Sequence, residues 1–122
     1  MRELTSHKSN SLNESVKVEV ADEPGSGGAH HKYQFYLRQH NEWHKGARVE
    51  FQKGPIEEVG VNGISNESLL AIVLDRLECF EKGPFANKFN QKALEHVESA
   101  LMWLHARTKD RVTRGVEGKF VK

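Results

Sequence analysis

Apolar side chains recur at period two in the first half of the chain and at helical spacing in the second. Val16, Val18 and Val20 alternate with Lys17 and Glu19. Tyr33, Phe35 and Leu37 alternate with Gln34, Tyr36 and Arg38, the clearest strand signal. Val49 and Phe51, flanked by Arg48, Glu50 and Gln52, form its antiparallel partner across a polar loop at 39–46. Residues 1–13 carry only Met1, Leu4 and Leu12 as apolar side chains and read as a flexible N-terminal arm. Gly25-Ser26-Gly27-Gly28 reads as a turn or linker. Two or three strands alone are marginal, so they need a helix to pack against.

Helices follow. Ser65 is a good N-cap for a helix over Asn66–Glu81, with Leu69, Leu70, Val73, Leu74, Leu77 and Phe80 on one face. Gly83-Pro84 closes it. A second helix is expected from Asn87 to Arg114, with Gly115 at its C′ position. Its apolar stripe is Phe89, Ala93, Val97, Ala100, Leu101 and Leu104. At 1.5 Å per residue it is roughly 40 Å long, too long for the first helix to cover. The short connection makes an antiparallel hairpin whose surplus length needs another partner. Ile72 and Cys79 form a second narrow apolar line, either a subunit contact or the place where the sheet packs. The pattern therefore predicts an α+β protein, a small N-terminal antiparallel sheet packed on a C-terminal antiparallel helical hairpin with one long helix. Residues 14–122 are expected as a single domain, 14–53 its β part and 54–122 its hairpin.

Composition narrows this. At 122 residues there is room for one small core. Eighteen Lys and Arg against 17 Asp and Glu leave a formal charge of +1, no global reason to bind DNA, RNA or an anionic membrane. No run approaches the ~20 apolar residues of a membrane span, and MRELTSHKSN lacks the apolar core of a signal peptide. Cys79 is the sole cysteine, which excludes an intrachain disulfide framework and a Cys-rich zinc site. The expectation is a soluble, cytoplasmic chain without metal or cofactor.

Few residues suggest chemistry. Arg107, Arg111 and Arg114 lie at i, i+4 and i+7, a basic strip bordering the apolar stripe, with Trp103 one turn earlier. Forked guanidiniums beside an aromatic ring suit phosphates and a stacked base. Cations near a helix C-terminus equally complement the macrodipole without any ligand. Asn90 falls between Val97 and Leu101 on the wheel, inside the apolar stripe. Its amide needs either a ligand or a structural bond to the turn 83–85. Gly60-Val61-Asn62-Gly63-Ile64-Ser65 runs into a helix N-terminus and is either an anion nest or an ordinary turn with a cap. His30-His31 and His40/His44 lack a carboxylate or Cys at ligand spacing, so no metal site is expected. Neither a Ser/His/Asp nor a Cys/His arrangement can be argued, and Cys79 reads as a packing residue.

The stretch FQKGPIEEVGVNGISNESLLAIVLDRLECFEKGPF, followed by ALMWLHARTKDRVTRGVEG, resembles the phage hairpin-domain sponges. These are the Thoeris anti-defence protein one family and its shorter relative, the anti-CBASS cyclic-nucleotide sponge. The resemblance covers residues 51–118, and GPIxEVGVNG, ALMWL and RGVEG are long, unusual motifs. The two strands before them favour the Thoeris member. The family implies proteins without catalysis, in the host cytoplasm, that sequester glycocyclic ADP-ribose made by TIR-domain enzymes. At separate sites they take cyclic di- or trinucleotides. Members assemble as homodimers, several as hexamers. Residue by residue, the resemblance places Phe80, Asn90, Arg107 and Arg111 in the ADP-ribose pocket, with Trp103 beside the arginines. Gly60, Asn62, Gly63 and Arg114 fall to the cyclic-oligonucleotide site. One departure follows GPF, where the family's Cys-Arg-Glu-Asn-like run is replaced by Ala86-Asn87-Lys88-Phe89-Asn90.

Helix arithmetic adds a constraint of its own. Asn90 and Arg107 are seventeen positions apart, roughly 25 Å at the helical rise, so one small ligand cannot touch both in one chain. Antiparallel pairing of two long helices would bring Asn90 of one subunit beside Arg107 of the other, making two equal pockets. Two other functions compete with a sponge. An enzyme hydrolysing the nucleotide would need a general base, and Asp110 points away from Asn90 on the wheel. A structural or nucleic-acid-binding phage protein would use the basic strip as a phosphate rail, which the net charge opposes.

Overall fold

The computed structural model describes residues 2–119, 121 and 122. Strands come first and helices after, the expected α+β class. The order is β1 (Arg2–Leu4), α1 (Ser11–Glu14), β2 (Val16–Val20), β3 (Lys32–Gln39), β4 (Glu42–Glu50), α2 (Ile56–Val59), α3 (Asn66–Lys82) and α4 (Lys88–Thr113). The backbone forms two compact units. One holds the chain up to Gly54 together with Val61–Gly63, the other Pro55–Gly60 and Ile64–Lys122.

In the sheet unit the strands lie in the order β1-β2-β3-β4, each pair antiparallel. The alternating residues meet in register, Val16 with Leu37, Val18 with Phe35 and Val20 with Tyr33. That registration gathers them on one face, where Val20 is 2% exposed. The Tyr33 and Phe51 rings meet edge-on at 5.8 Å.

Two features differ from the sequence reading. The span 39–46 is not a loop. His40 and Asn41, at φ of 53° and 63°, make a two-residue turn of type I′, and β4 begins at Glu42, paired with Gln39. Polar side chains hide this strand from a hydrophobic pattern, because pairing with β3 is what holds it. The stretch expected as an arm carries β1, paired through Leu4 with Val18, and the turn α1, capped by Asn10. The Lys8 ammonium lies 2.7 Å from Glu3, whose hydrogen bond holds the Glu3 carboxyl below its ordinary value. A bulge between Gln34 and Tyr36 turns Gln34 inward. Its amide nitrogen is directed at the carbonyls of Phe35, Gly46 and Ala47.

The helical unit is built from well-terminated helices. Ser65 and Ser68 exchange side chain-to-backbone bonds of 3.0 Å, a capping box at the start of α3. Asn87 caps α4 by accepting the Asn90 N–H at 2.9 Å. At the far end Gly115, at φ 73°, donates to the Val112 carbonyl while Val116 donates to that of Arg111, a Schellman motif.

The two helices pack through half-buried Leu70, Leu74 and Leu77 on α3 and Leu94, Val97, Leu101 and Leu104 on α4. Phe89, Ala93 and Ala100, expected in the stripe, are exposed, and Leu94 takes their place. No residue of α3 is buried, and on α4 only Arg111 is. Leu69, Ile72, Val73, Met102 and Trp103 present apolar surface to solvent. Among the described residues no helix is long and apolar enough to cross a membrane.

Candidate functional site

The hairpin turn opens a cleft of about 410 Å³, lined by Asp75, Arg76, Cys79 and Phe80 from the end of α3 and by Gly83, Pro84 and Phe85. Apart from its two charged side chains the lining is apolar. Phe80 belongs here because it sits just before the chain leaves α3, its ring 42% exposed. Cys79 shares the lining and is exposed rather than packed in a core.

Asn90 stands in the first turn of α4. It lies on the face that continues through Leu94, Val97, Leu101 and Leu104 and is half-buried there, as its wheel position requires. The turn is tied by a different amide. Asn87 donates to the Phe85 carbonyl at 3.0 Å, and its own N–H reaches Glu81. The side-chain amide of Asn90 makes no hydrogen bond among the described residues.

The three arginines do not form one strip. Arg111 is 7% exposed and gathers the C-terminal segment around itself. It donates to Glu117 at 3.2 Å, to the carbonyls of Val116 and Lys119 at 2.9 Å each, and to that of Val121. Arg114 bonds Asp110 at 3.0 Å and the Lys122 carbonyl at 2.9 Å. Arg107 is exposed and unpaired among the described residues, with the 69%-exposed Trp103 one turn before it. The sequence could place these side chains on a helix but not the tail that folds back over one of them. The RGVEG motif carried the signal, since its Gly reverses the chain and its Glu returns toward Arg111.

In the Gly60–Gly63 loop, Asn62 and Gly63 help to build the sheet unit, and Gly60 belongs to the helical one. Asn62 accepts the Lys53 N–H and donates to the Lys53 carbonyl, both at 2.8 Å, while its backbone N–H bonds Gln52. Gly63 packs so tightly that a Cβ there would stand 2.4 Å from the Phe51 carbonyl carbon. Gly60, at φ 75°, ends α2.

The histidines hold no metal arrangement. Among the described residues no group of three His, Cys, Asp or Glu could bind one. His30 and His31 instead surround Asp22, whose carboxylate accepts the N–H groups of His31 and Lys32. Burial pushes the Asp22 carboxyl up, but those two donors and the nearby imidazoles outweigh it and hold it below its ordinary value. The sequence reading gave this carboxylate no role; an Asp beside a Gly-rich turn is its faint signal.

Comparison with known proteins bears on these positions. Residues 45–109 match the family model described as the Acb2/Tad1 hairpin domain. A relative described as Thoeris anti-defense 1, from Bacillus phage SBSphiJ7, is 47% identical over 76 residues, 62% of this chain. The aligned region spans 54% of that relative, about half its length. The family match covers α3 and most of α4, the elements that carry Phe80, Asn90 and Arg107. This chain belongs to the Acb2/Tad1 hairpin-domain family.

Proposed function

We propose that this protein serves a phage against host defence, capturing a cyclic ADP-ribose-type signal such as the glycocyclic ADP-ribose of TIR enzymes and holding it without turnover. The observation that carries the reading is the pair of unpartnered polar groups on α4. An amide at Asn90 and a guanidinium at Arg107 have no hydrogen-bond or ion-pair partner among the described residues, and both stand on one continuous helix. The Asn90 amide reaches solvent from a half-buried position, where it can bond a ligand hydroxyl or base edge. Phe80, in the cleft at the hairpin turn, offers a stacking face for the base. The likeness to the phage relative, Thoeris anti-defense 1, supports the defence context.

The same helix argues for two copies. Asn90 and Arg107 are roughly 25 Å apart along α4, beyond the reach of one mononucleotide-sized ligand. Two antiparallel α4 helices would bring Asn90 of one protomer to Arg107 of the other. They would also cover Met102 and Trp103, 57% and 69% exposed in the single chain. A homodimer therefore holds two pockets, and hexamers would be dimers further assembled.

Binding without hydrolysis is favoured because Asp110, the carboxylate nearest Arg107 along α4, is held by Arg114. A second site for cyclic di- or trinucleotides at Gly60, Asn62, Gly63 and Arg114 draws less support, since the amide of Asn62 is spent on Lys53.

The test is calorimetric titration of the full chain with glycocyclic ADP-ribose, then heat release and mass spectrometry of the ligand. Intact ligand from a saturable complex supports the reading. Absence of binding refutes it, and recovery of opened ADP-ribose would favour an enzyme.

A further inference from the structure

Arg76 is assigned nothing by the motifs or by the pocket expected from them, yet it lines the same cleft as Phe80. Its guanidinium carbon stands 5.8 Å from the Phe80 ring centroid, and it has no ion-pair partner among the described residues. Planar groups stack at about 3.5 Å, so a ring held between two planes needs about 7 Å from one to the other. The Arg76–Phe80 distance sets an upper bound on the gap between the two planes, which falls short of that by at least about 1 Å. A rotamer change in a long exposed side chain supplies it at little cost.

Resting on the capture reading above, we propose that Arg76 closes over the base of the bound nucleotide. The base is clamped between a guanidinium plane and the Phe80 ring, which makes the cleft selective for an electron-rich purine. The chemistry suits a purine because a guanidinium stacks on and attracts a π-face, while the ring beneath contributes apolar contact. Asp75, the other charge lining the cleft, repels phosphate. The base end of the nucleotide therefore enters here, and its phosphates lie away from Asp75, with Arg107. The remaining lining, Cys79, Pro84 and Phe85, carries no charge that would compete for the ligand.

The test uses the full-length chain and glycocyclic ADP-ribose as probe, read by calorimetry and by the absorbance loss at 260 nm that accompanies base stacking. Arg76→Ala should weaken binding about 10-fold and reduce the absorbance loss, with the melting temperature unchanged. Arg76→Lys should stay within about twofold of Arg76→Ala, because an ammonium keeps the charge and loses the plane. Full affinity in Arg76→Lys would overturn the clamp, since charge alone would then suffice. Arg76→Ala within twofold of wild type, while Phe80→Ala and Asn90→Leu lose capture, would overturn the clamp and leave the pocket standing. If wild type does not bind the probe, the capture reading falls and the clamp with it.

Discussion

Replacing Arg111 with Met is the sharpest test of how the end of α4 is organised. The substitution keeps much of the stem and removes a guanidinium that reaches Glu117 and three backbone carbonyls of the segment 116–121. Charge-assisted hydrogen bonds contribute about 1.5–3 kcal/mol each when buried. Their sum is not the expected loss, because a tail that detaches rehydrates its carbonyls, and Glu117 is 41% exposed, so its share is screened. The backbone bond from Glu57 to the Gly118 carbonyl and the Gly115 turn survive the change. A net loss of about 2–3 kcal/mol in docking of the tail follows, which is about 30- to 150-fold in the population of the open form. The assay is limited trypsin digestion under native conditions, timing the cut after Lys119 beside a thermal melt. Arg107→Ala serves as the control, since its exposed side chain makes no hydrogen bond or ion pair among the described residues. If tail cleavage is unchanged in Arg111→Met while capture of glycocyclic ADP-ribose disappears, the latch reasoning is refuted and Arg111 is a ligand group.

Three further outcomes are expected. Asn90→Leu should keep or raise the melting temperature, because Leu suits the seam beside Leu94 and Val97, while calorimetry shows loss of ligand capture. Gly63→Ala should destabilise the sheet unit by about 1–3 kcal/mol in urea unfolding, since its Cβ would fall 2.4 Å from the Phe51 carbonyl carbon and the backbone must give way. Asp22, like Glu3, is a carboxylate of the sheet unit held below its ordinary value. Its folded value is lowered, so its contribution is present above the ordinary 3.8 and lost as pH falls through the lower folded value. Asp22→Asn should flatten that acid limb of the stability profile, and an unchanged limb would assign it to other carboxylates.

The periodic elements were readable in the residues themselves. The strand alternation around Phe35, the Ser65 and Asn87 caps and the Gly115 stop place α3 and α4 to within a residue or so of their observed ends. Those signals are local, because a cap or a helical stripe depends on neighbours within a few positions. The end of β4 was marked by Val49, but its start at Glu42 was not readable, since a polar edge strand is held by backbone pairing that leaves no mark on hydrophobicity. The candidate site divides along the same line. The positions of Phe80, Asn90 and Arg107 on their helices follow from spacing alone. Which arginine stays free was settled by a C-terminal segment that folds back after Gly115 and takes Arg111 out of solvent. Similarly, the amide of Asn62 is spent on Lys53, nine residues earlier in the chain. Local periodicity decides which side chains share a helix face. Only the folded chain decides which polar groups find partners, because hydrogen-bond satisfaction depends on what the rest of the backbone brings alongside.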